Sequence, residues 1–180
     1  MALSATVYNF AVQLADVDRG VYADVELRVA RHPSESAEFM VTRLLAYLLE
    51  YEDGIAFSDG GVSSTDEPAV LVRDLTGRLT AWIEIGAPAA ERVHRGSKLA
   101  DRVAVYTHRE PDRVLAQLSG KPIHRAEAIP LYGFEPGFVD AAVAQLERRN
   151  TAGLSVTERR VYLDLNGVSL STPIQEHRLG

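Results

Sequence analysis

Alternation dominates the start of the chain. Over residues 21–29 the apolar side chains Val21, Ala23, Val25, Leu27 and Val29 alternate with Tyr22, Asp24, Glu26 and Arg28. That period of two is the mark of a half-buried strand. Residues 3–14 read the same way, and Ala15-Asp16-Val17-Asp18-Arg19-Gly20 between them is turn chemistry. An N-terminal antiparallel β-hairpin is predicted.

The period then changes. Phe39, Met40, Leu44, Leu45, Leu48 and Leu49 make an apolar stripe at helical spacing. His32-Pro33-Ser34-Glu35 ahead of it puts Pro at the first helical position and an acid in the first turn. This helix should end near Asp53-Gly54, and residues 58–65 (SDGGVSST) read as a loop. Residues 69–74 and 79–85 flank Leu75-Thr76-Gly77-Arg78, a second hairpin. Pro88 opens a helix running to about Ala100, and 102–108 is an apolar run suited to a buried parallel strand. Residues 110–118 read as helix, 122–132 as extended and 136–148 as helix. Two strands, 159–165 and 167–174, meet at the tight-turn dipeptide Asn166-Gly167. The expected fold is α/β (α+β): a mixed central sheet flanked by helices, with the hairpin in front, as a single domain over 1–180.

One strand carries a charge that its pattern does not explain. In residues 80–86 (TAWIEIG), Ala81, Ile83 and Ile85 share one face and Thr80, Trp82, Glu84 and Gly86 the other. With Trp82 beside it, Glu84 is not on a freely solvated face. Asp66 and Glu67 stand at the mouth of the strand that hairpins with this one, where Pro68 stops the ladder. A short hairpin sets residue 69 or 70 opposite 83 or 84, which brings Asp66 or Glu67 near Glu84. Glu38 shares a helix face with Val41, Leu45 and Leu48 and points toward the core side. Clustered carboxylates repel one another unless a cation joins them, and a hard divalent ion wants such oxygens. The plainer readings are a salt-bridged strand glutamate, an acidic loop pair and a first-turn helix acid.

Bulk properties narrow the chemistry. The chain has 180 residues and no cysteine, so disulfides, thiol catalysis and thiolate zinc sites are excluded. The five histidines form no His-x-His or His-x₃-His pair. No signal-like start and no membrane-length apolar run is seen, so a cytoplasmic protein without membrane contact is expected. The net charge is −6, yet residues 92–125 hold eight basic against three acidic residues. That segment is +5 and the remainder −11. It is either a surface for phosphates or a set of solvated helix faces. On one helix face Arg95, Lys98 and Arg102 follow at spacings of three and four. Arg95 or Lys98 could hold a phosphate, whereas Arg102 reads as a surface ion-pair partner. Walker, G-x-G-x-x-G and G-x-S-x-G motifs are all absent.

The segments MALSATVY (1–8), ARHPSESAEFMVTRLLAYL (30–48), DEP (66–68), WIEIGAP (82–88) and ADRVAVYT (100–107) together resemble the YaeQ family of bacterial proteins, nearly end to end. The resemblance implies a variant of the PD-(D/E)XK nuclease-like fold, with an α-β-β-β-α-β core and magnesium- or manganese-dependent phosphodiester hydrolysis on nucleic acid. Carried over, Glu84 is the acid of the (D/E)-x-K element, Asp66 or Glu67 the aspartate of the first element, and Glu38 the helix carboxylate. Glu84, Asp66, Glu67 and Glu38 would be metal ligands. The motif lysine position is Gly86, so the cation falls to Arg95 or Lys98, with His94 beside them. If active, the metal would orient a water for in-line attack. The alternative implied function is an inactive nuclease fold that binds nucleic acid or protein, in connection with transcription.

Overall fold

The computed structural model describes residues 4–58 and 66–180. In chain order the elements are β1 (Thr6–Asp16), β2 (Val21–Arg31), α1 (Ala37–Leu49), β3 (Ile55–Phe57), β4 (Val70–Arg73), β5 (Leu79–Ile85) and α2 (Ala90–Leu99). There follow β6 (Arg102–Tyr106), α3 (Pro111–Leu118), β7 (Pro130–Gly133), α4 (Phe138–Val143), β8 (Arg149–Thr157), β9 (Arg160–Leu165), β10 (Val168–Pro173) and β11 (Gln175–Arg178). Four α-helices and two mixed sheets are thus seen among the described residues, where one central sheet was expected. No helix there is long and apolar enough to cross a membrane.

Two compact units divide the chain. The first comprises Met1–Leu44 and Phe134–Ile174. Its sheet has the order β10-β9-β8-β1-β2. The N-terminal hairpin pairs β1 with β2 along their whole length, and β8 joins β1 in parallel. Buried Val12, Leu14, Val25, Leu154, Val156 and Leu163 face the core, and their strand neighbours face solvent. The Asn166-Gly167 turn joins β9 to β10 as expected, with Asn166 at φ 51 and Gly167 at φ 87.

Between β2 and α1 the chain makes a turn rather than the first turn of the helix. His32 donates its backbone N–H to Glu35 Oε2 (3.2 Å), and Glu35 donates its own to the His32 carbonyl (2.8 Å). Ser36 Oγ then accepts the Phe39 N–H at 3.0 Å, an N-cap that starts the helix at Ala37. Pro33 therefore lies in the turn, not at the first helical position. Glu35 is drawn inward to Arg43, whose Nη2 lies 3.0 Å from Glu35 Oε1 and also donates to the Ala30 carbonyl at 3.0 Å. Burial raises the Glu35 carboxyl above its ordinary value, against the pull of Arg43, and lowers the Arg43 guanidinium.

The second unit comprises Leu45–Gly133 and Gln175–Gly180. Its sheet has the order β11-β7-β6-β5-β4-β3. The β4–β5 hairpin sets Val70 opposite Ile83, as the turn length required. Strand β6 lies parallel to both β5 and β7. Trp82, Val103, Val105 and Leu131 of the sheet form one apolar cluster with Val93 of α2 and Val114 and Leu118 of α3. Gly96 explains how α2 sits so close. A Cβ there would fall inside the indole of Trp82, so only glycine admits the helix at that distance.

Two expected elements differ in this chain. Residues 122–132 are not extended throughout. Arg125 takes a left-handed conformation (φ 53) and leads into a short 3-10 turn at Ala126–Ala128, leaving only β7 in the sheet. The helix expected over 136–148 is the short α4. Beyond Val143 the chain tightens into three-residue turns, with the Gln145 N–H on the Ala142 carbonyl (3.0 Å) and the Leu146 N–H on the Val143 carbonyl (3.2 Å). Asn150 then accepts the Glu147 N–H (2.8 Å) and donates to the Glu147 carbonyl (2.7 Å) as the chain enters β8. The loop expected over 58–65 lies, apart from Ser58, outside the described residues.

Candidate functional site

Strand β5 is buried on both faces, and Glu84 is buried with it. It stands on the Trp82 face, beside Val105 of β6. The next helix supplies what a carboxylate needs there. Arg92 Nε donates to Glu84 Oε2 at 2.6 Å and Arg92 Nη2 to Glu84 Oε1 at 3.1 Å. This fork-to-fork geometry is the strong form of an arginine–carboxylate pair. The same Nη2 donates to the Glu67 carbonyl at 2.9 Å, so Arg92 ties β5 to the chain entering β4. The hydrogen bond to Glu84 raises the Arg92 guanidinium, burial opposes it, and the nearby negative charge adds to the rise.

The neighbouring acids have their own arginines. Glu67 Oε1 accepts from Arg73 Nη2 (2.9 Å) and Glu67 Oε2 from Ser58 Oγ (3.1 Å). Asp66, with its side chain 81% exposed, accepts from Arg95 Nη2 at 3.0 Å. Arg92 therefore links Glu67 and Glu84 directly, while Asp66 and Arg95 form a surface pair in the same stretch. Lys98 is exposed in the last turn of α2. Glu38 is half-buried in the first turn of α1, in the part that belongs to the first unit. Thr42 Oγ1 donates to its carbonyl. Arg102 pairs with Glu50 (2.9 Å) and Glu52 (3.2 Å), the surface role read from sequence.

This arrangement does not fit a hard divalent cation. Such an ion takes several oxygens from converging acids. Among the described residues no group of three or more histidine, aspartate and glutamate side chains is so disposed. Both Glu84 oxygens already meet a guanidinium.

Two features were not legible in the sequence. Arg92 stands eight residues from Glu84, across a strand-to-helix connection, and no local spacing rule joins them. The position where a lysine would complete the motif, Gly86, has φ 84, and its N–H donates to the Tyr106 carbonyl at 2.8 Å. A left-handed residue there favours glycine. His94, the other residue at the expected basic position, is a fastener. Its Nδ1 accepts the His124 N–H (3.0 Å), and Ser97 Oγ donates to the His124 carbonyl (2.6 Å). Together they hold the 121–125 segment against α2.

Similarity to known proteins covers most of the chain. The "YaeQ protein" family matches residues 1–174. The uncharacterized protein YaeQ of Escherichia coli K12 is 39% identical over 108 residues, 60% of this chain and 59% of that protein. That of Salmonella typhi is 38% identical over the same extent. In these matches the chain spans 59% of the length of its curated relatives. The crystal structure of YaeQ from Xanthomonas axonopodis pv. citri superposes with a TM-score of 0.87 at 27% identity, covering 97% of this chain and 98% of that one. The one from Pseudomonas syringae gives 0.85 at 27% identity over 98% of each. With its sequence and its strand order both accounted for, the chain belongs to the YaeQ family.

Proposed function

We propose that this protein is a PD-(D/E)XK nuclease-like fold used to bind nucleic-acid phosphate, with α2 as its contact helix. The element order α1-β3-β4-β5-α2-β6 supports the fold assignment. The observation that carries the binding reading is the Glu84–Arg92 fork: the carboxylate expected to hold a metal already has a protein cation. Lys98, Lys121 and Arg125 are exposed on α2 and the segment that His94 and Ser97 fasten to it, and Arg95 is half-exposed beside them. Cations held in a fixed array release counterions when they meet phosphates, so binding should weaken steeply with salt. The test is fluorescence anisotropy with labelled single- and double-stranded oligonucleotides across a salt series. Arg95→Glu combined with Lys98→Glu should lower affinity by about tenfold or more and flatten the salt slope. No binding at low salt, or binding indifferent to these changes, would overturn the reading.

A second reading, magnesium- or manganese-dependent phosphodiester hydrolysis, has one observation in its favour. The Glu67 main chain and the Glu84 side chain converge on a single group, Arg92. Under that reading Arg92 must yield Glu84, with Asp66 and Glu67 completing the donor set and Arg95 or Lys98 facing phosphate. Manganese titration calorimetry on the wild type and on Arg92→Ala decides it. Uptake in either protein, with cleavage abolished by Glu84→Ala, supports hydrolysis. The absence of uptake in both excludes it.

A further inference from the structure

The outer face of the five-stranded sheet has a relief that its sequence builds deliberately. Strands β1 and β8 run side by side in parallel, and from the Ala11 row to the Ala15 row their outward residues are mostly short: Ala11 and Ala15 on one and Thr151, Gly153 and Ser155 on the other, with Gln13 the one long side chain among them. The strands flanking this pair carry tall side chains. Tyr22, Asp24 and Glu26 rise from β2, and Tyr162 and Asp164 from β9. The registers align these residues into rows. Tyr22 pairs with Ala15, Ala15 with Ser155, and Ser155 with Tyr162. One row on, Asp24 pairs with Gln13, Gln13 with Gly153, and Gly153 with Asp164. The result is a trough along the strands, with a floor two strands wide and a wall on each side. Three inter-strand steps put the walls about 14 Å apart, room for one extended chain. Over Gly153, between Asp24 and Glu26 on one side and Asp164 on the other, the hollow measures about 690 Å³.

The walls are chemically matched to a cation. Tyr22 and Tyr162 are 65% and 47% exposed, among the largest exposed apolar groups of the chain. Tyrosine faces attract guanidinium and ammonium groups. Asp24, Glu26 and Asp164 are exposed. None of the three has an ion-pair partner among the described residues, although Asp16, Glu35, Glu67 and Glu84 are all paired with arginine. At the opposite end of the same face the sign reverses. Arg28 and Arg149 flank Asn9 in one row, around a second hollow. An occupant therefore meets carboxylates and aromatic faces first and guanidiniums last.

We propose that this trough docks an extended protein segment bearing lysine or arginine side chains followed by a carboxylate. Alternate side chains of the segment lie against the acidic walls, and its carboxylate reaches Arg28 and Arg149. The carboxylate comes either from a chain terminus or from an acidic side chain, and the probes below separate the two.

Gly153 supplies the decisive variant. Its φ is unexceptional, and a Cβ there would meet only Asp164 Cβ, at 4.0 Å. Gly153→Phe thus projects a ring into the trough from a Cβ position that is free of close contacts, and replaces a poor strand former with a good one. The experiment is an NMR titration of the full chain with a hexalysine peptide, its C-terminally amidated form, a hexalysine extended by one aspartate and then amidated, and hexaglutamate. Hexalysine should shift the resonances of Tyr22, Gly153 and Tyr162, and hexaglutamate should not. Amidation should weaken binding, and the added aspartate should restore it if a side-chain carboxylate suffices. Asp24→Asn with Asp164→Asn should raise the Kd about tenfold or more. Asp112→Asn with Glu127→Gln removes the same charge from the other unit and should leave it unchanged. Gly153→Phe should abolish binding with the melting temperature retained. Equal losses in both charge pairs would reduce the effect to net charge and overturn the proposal. So would undiminished binding in Gly153→Phe, or a concentration-dependent dimer that this variant abolishes, since the occupant would then be a second copy.

Discussion

Two buried glutamates, one in each unit, meet arginine in different ways. Glu35 and Arg43 are both sequestered, with side chains 1% and 6% exposed. Their attraction is offset by desolvation, which raises the acid and lowers the base. Glu84 is as deeply buried, but its partner Arg92 is 27% exposed and is raised, because the two-point hydrogen bond outweighs its burial. The first pair is a clamp between a turn and a helix. The second keeps one side in water, where a competing ion or phosphate can reach it. Burial of the acid is the same in both; what differs is the access of water to the base.

The largest expected effect comes from breaking the clamp. Arg43→Ala leaves a buried carboxylate without its cation and should cost about 3–5 kcal/mol in urea unfolding at neutral pH. A loss under about 1 kcal/mol would mean that Glu35 is already neutral in the folded protein. Arg92→Ala should cost less, about 2–3 kcal/mol, because water can enter where the guanidinium stood. An equal cost would erase the distinction between the pairs. Gly96→Ala forces α2 away from Trp82 and should cost about 1–3 kcal/mol, with a changed near-ultraviolet signal from the only tryptophan. Ser36→Ala removes the cap ahead of α1 and should cost about 1 kcal/mol.

The smallest effect is a slope with pH. The folded Glu35 carboxyl holds its proton more tightly than its ordinary value of 4.5 allows. Its contribution therefore favours the folded state below that value and is lost as pH rises through the folded value. Stability curves of the wild type and Glu35→Gln should diverge over that window, and parallel curves would place the shift elsewhere.

Local grammar made much of this fold readable. Strict alternation found β2, the turn residues found the β4–β5 and β9–β10 hairpins, and the apolar run found β6. The strand β8 escaped although Ala152, Leu154 and Val156 alternate with Thr151, Gly153 and Ser155, because small residues and a central glycine give it a weak strand signal and its partner β1 lies some 140 residues away. The sequence reading likewise reached Glu84, Glu67 and Asp66 through the register of one hairpin, which is a short-range fact. It did not reach Arg92 or Arg73 as their partners, because a guanidinium on a long stem finds its carboxylate through tertiary packing. Glu35 was read as a helix acid, since nothing local says that the helix waits for Ser36.

The parallel pairing of β1 with β8 has a consequence for how the molecule comes into being. The first unit is assembled from the two outer stretches of the chain, and nearly all of the second lies between them. During synthesis the opening hairpin emerges early, with the long β1 edge that β8 will later cover still bare. An uncovered edge of that length is a template for the wrong neighbour, and closing so wide a loop is slow. The inner unit can mature while the hairpin waits, so nascent chains of this protein should lean on chaperones most between the completion of β2 and the arrival of β8.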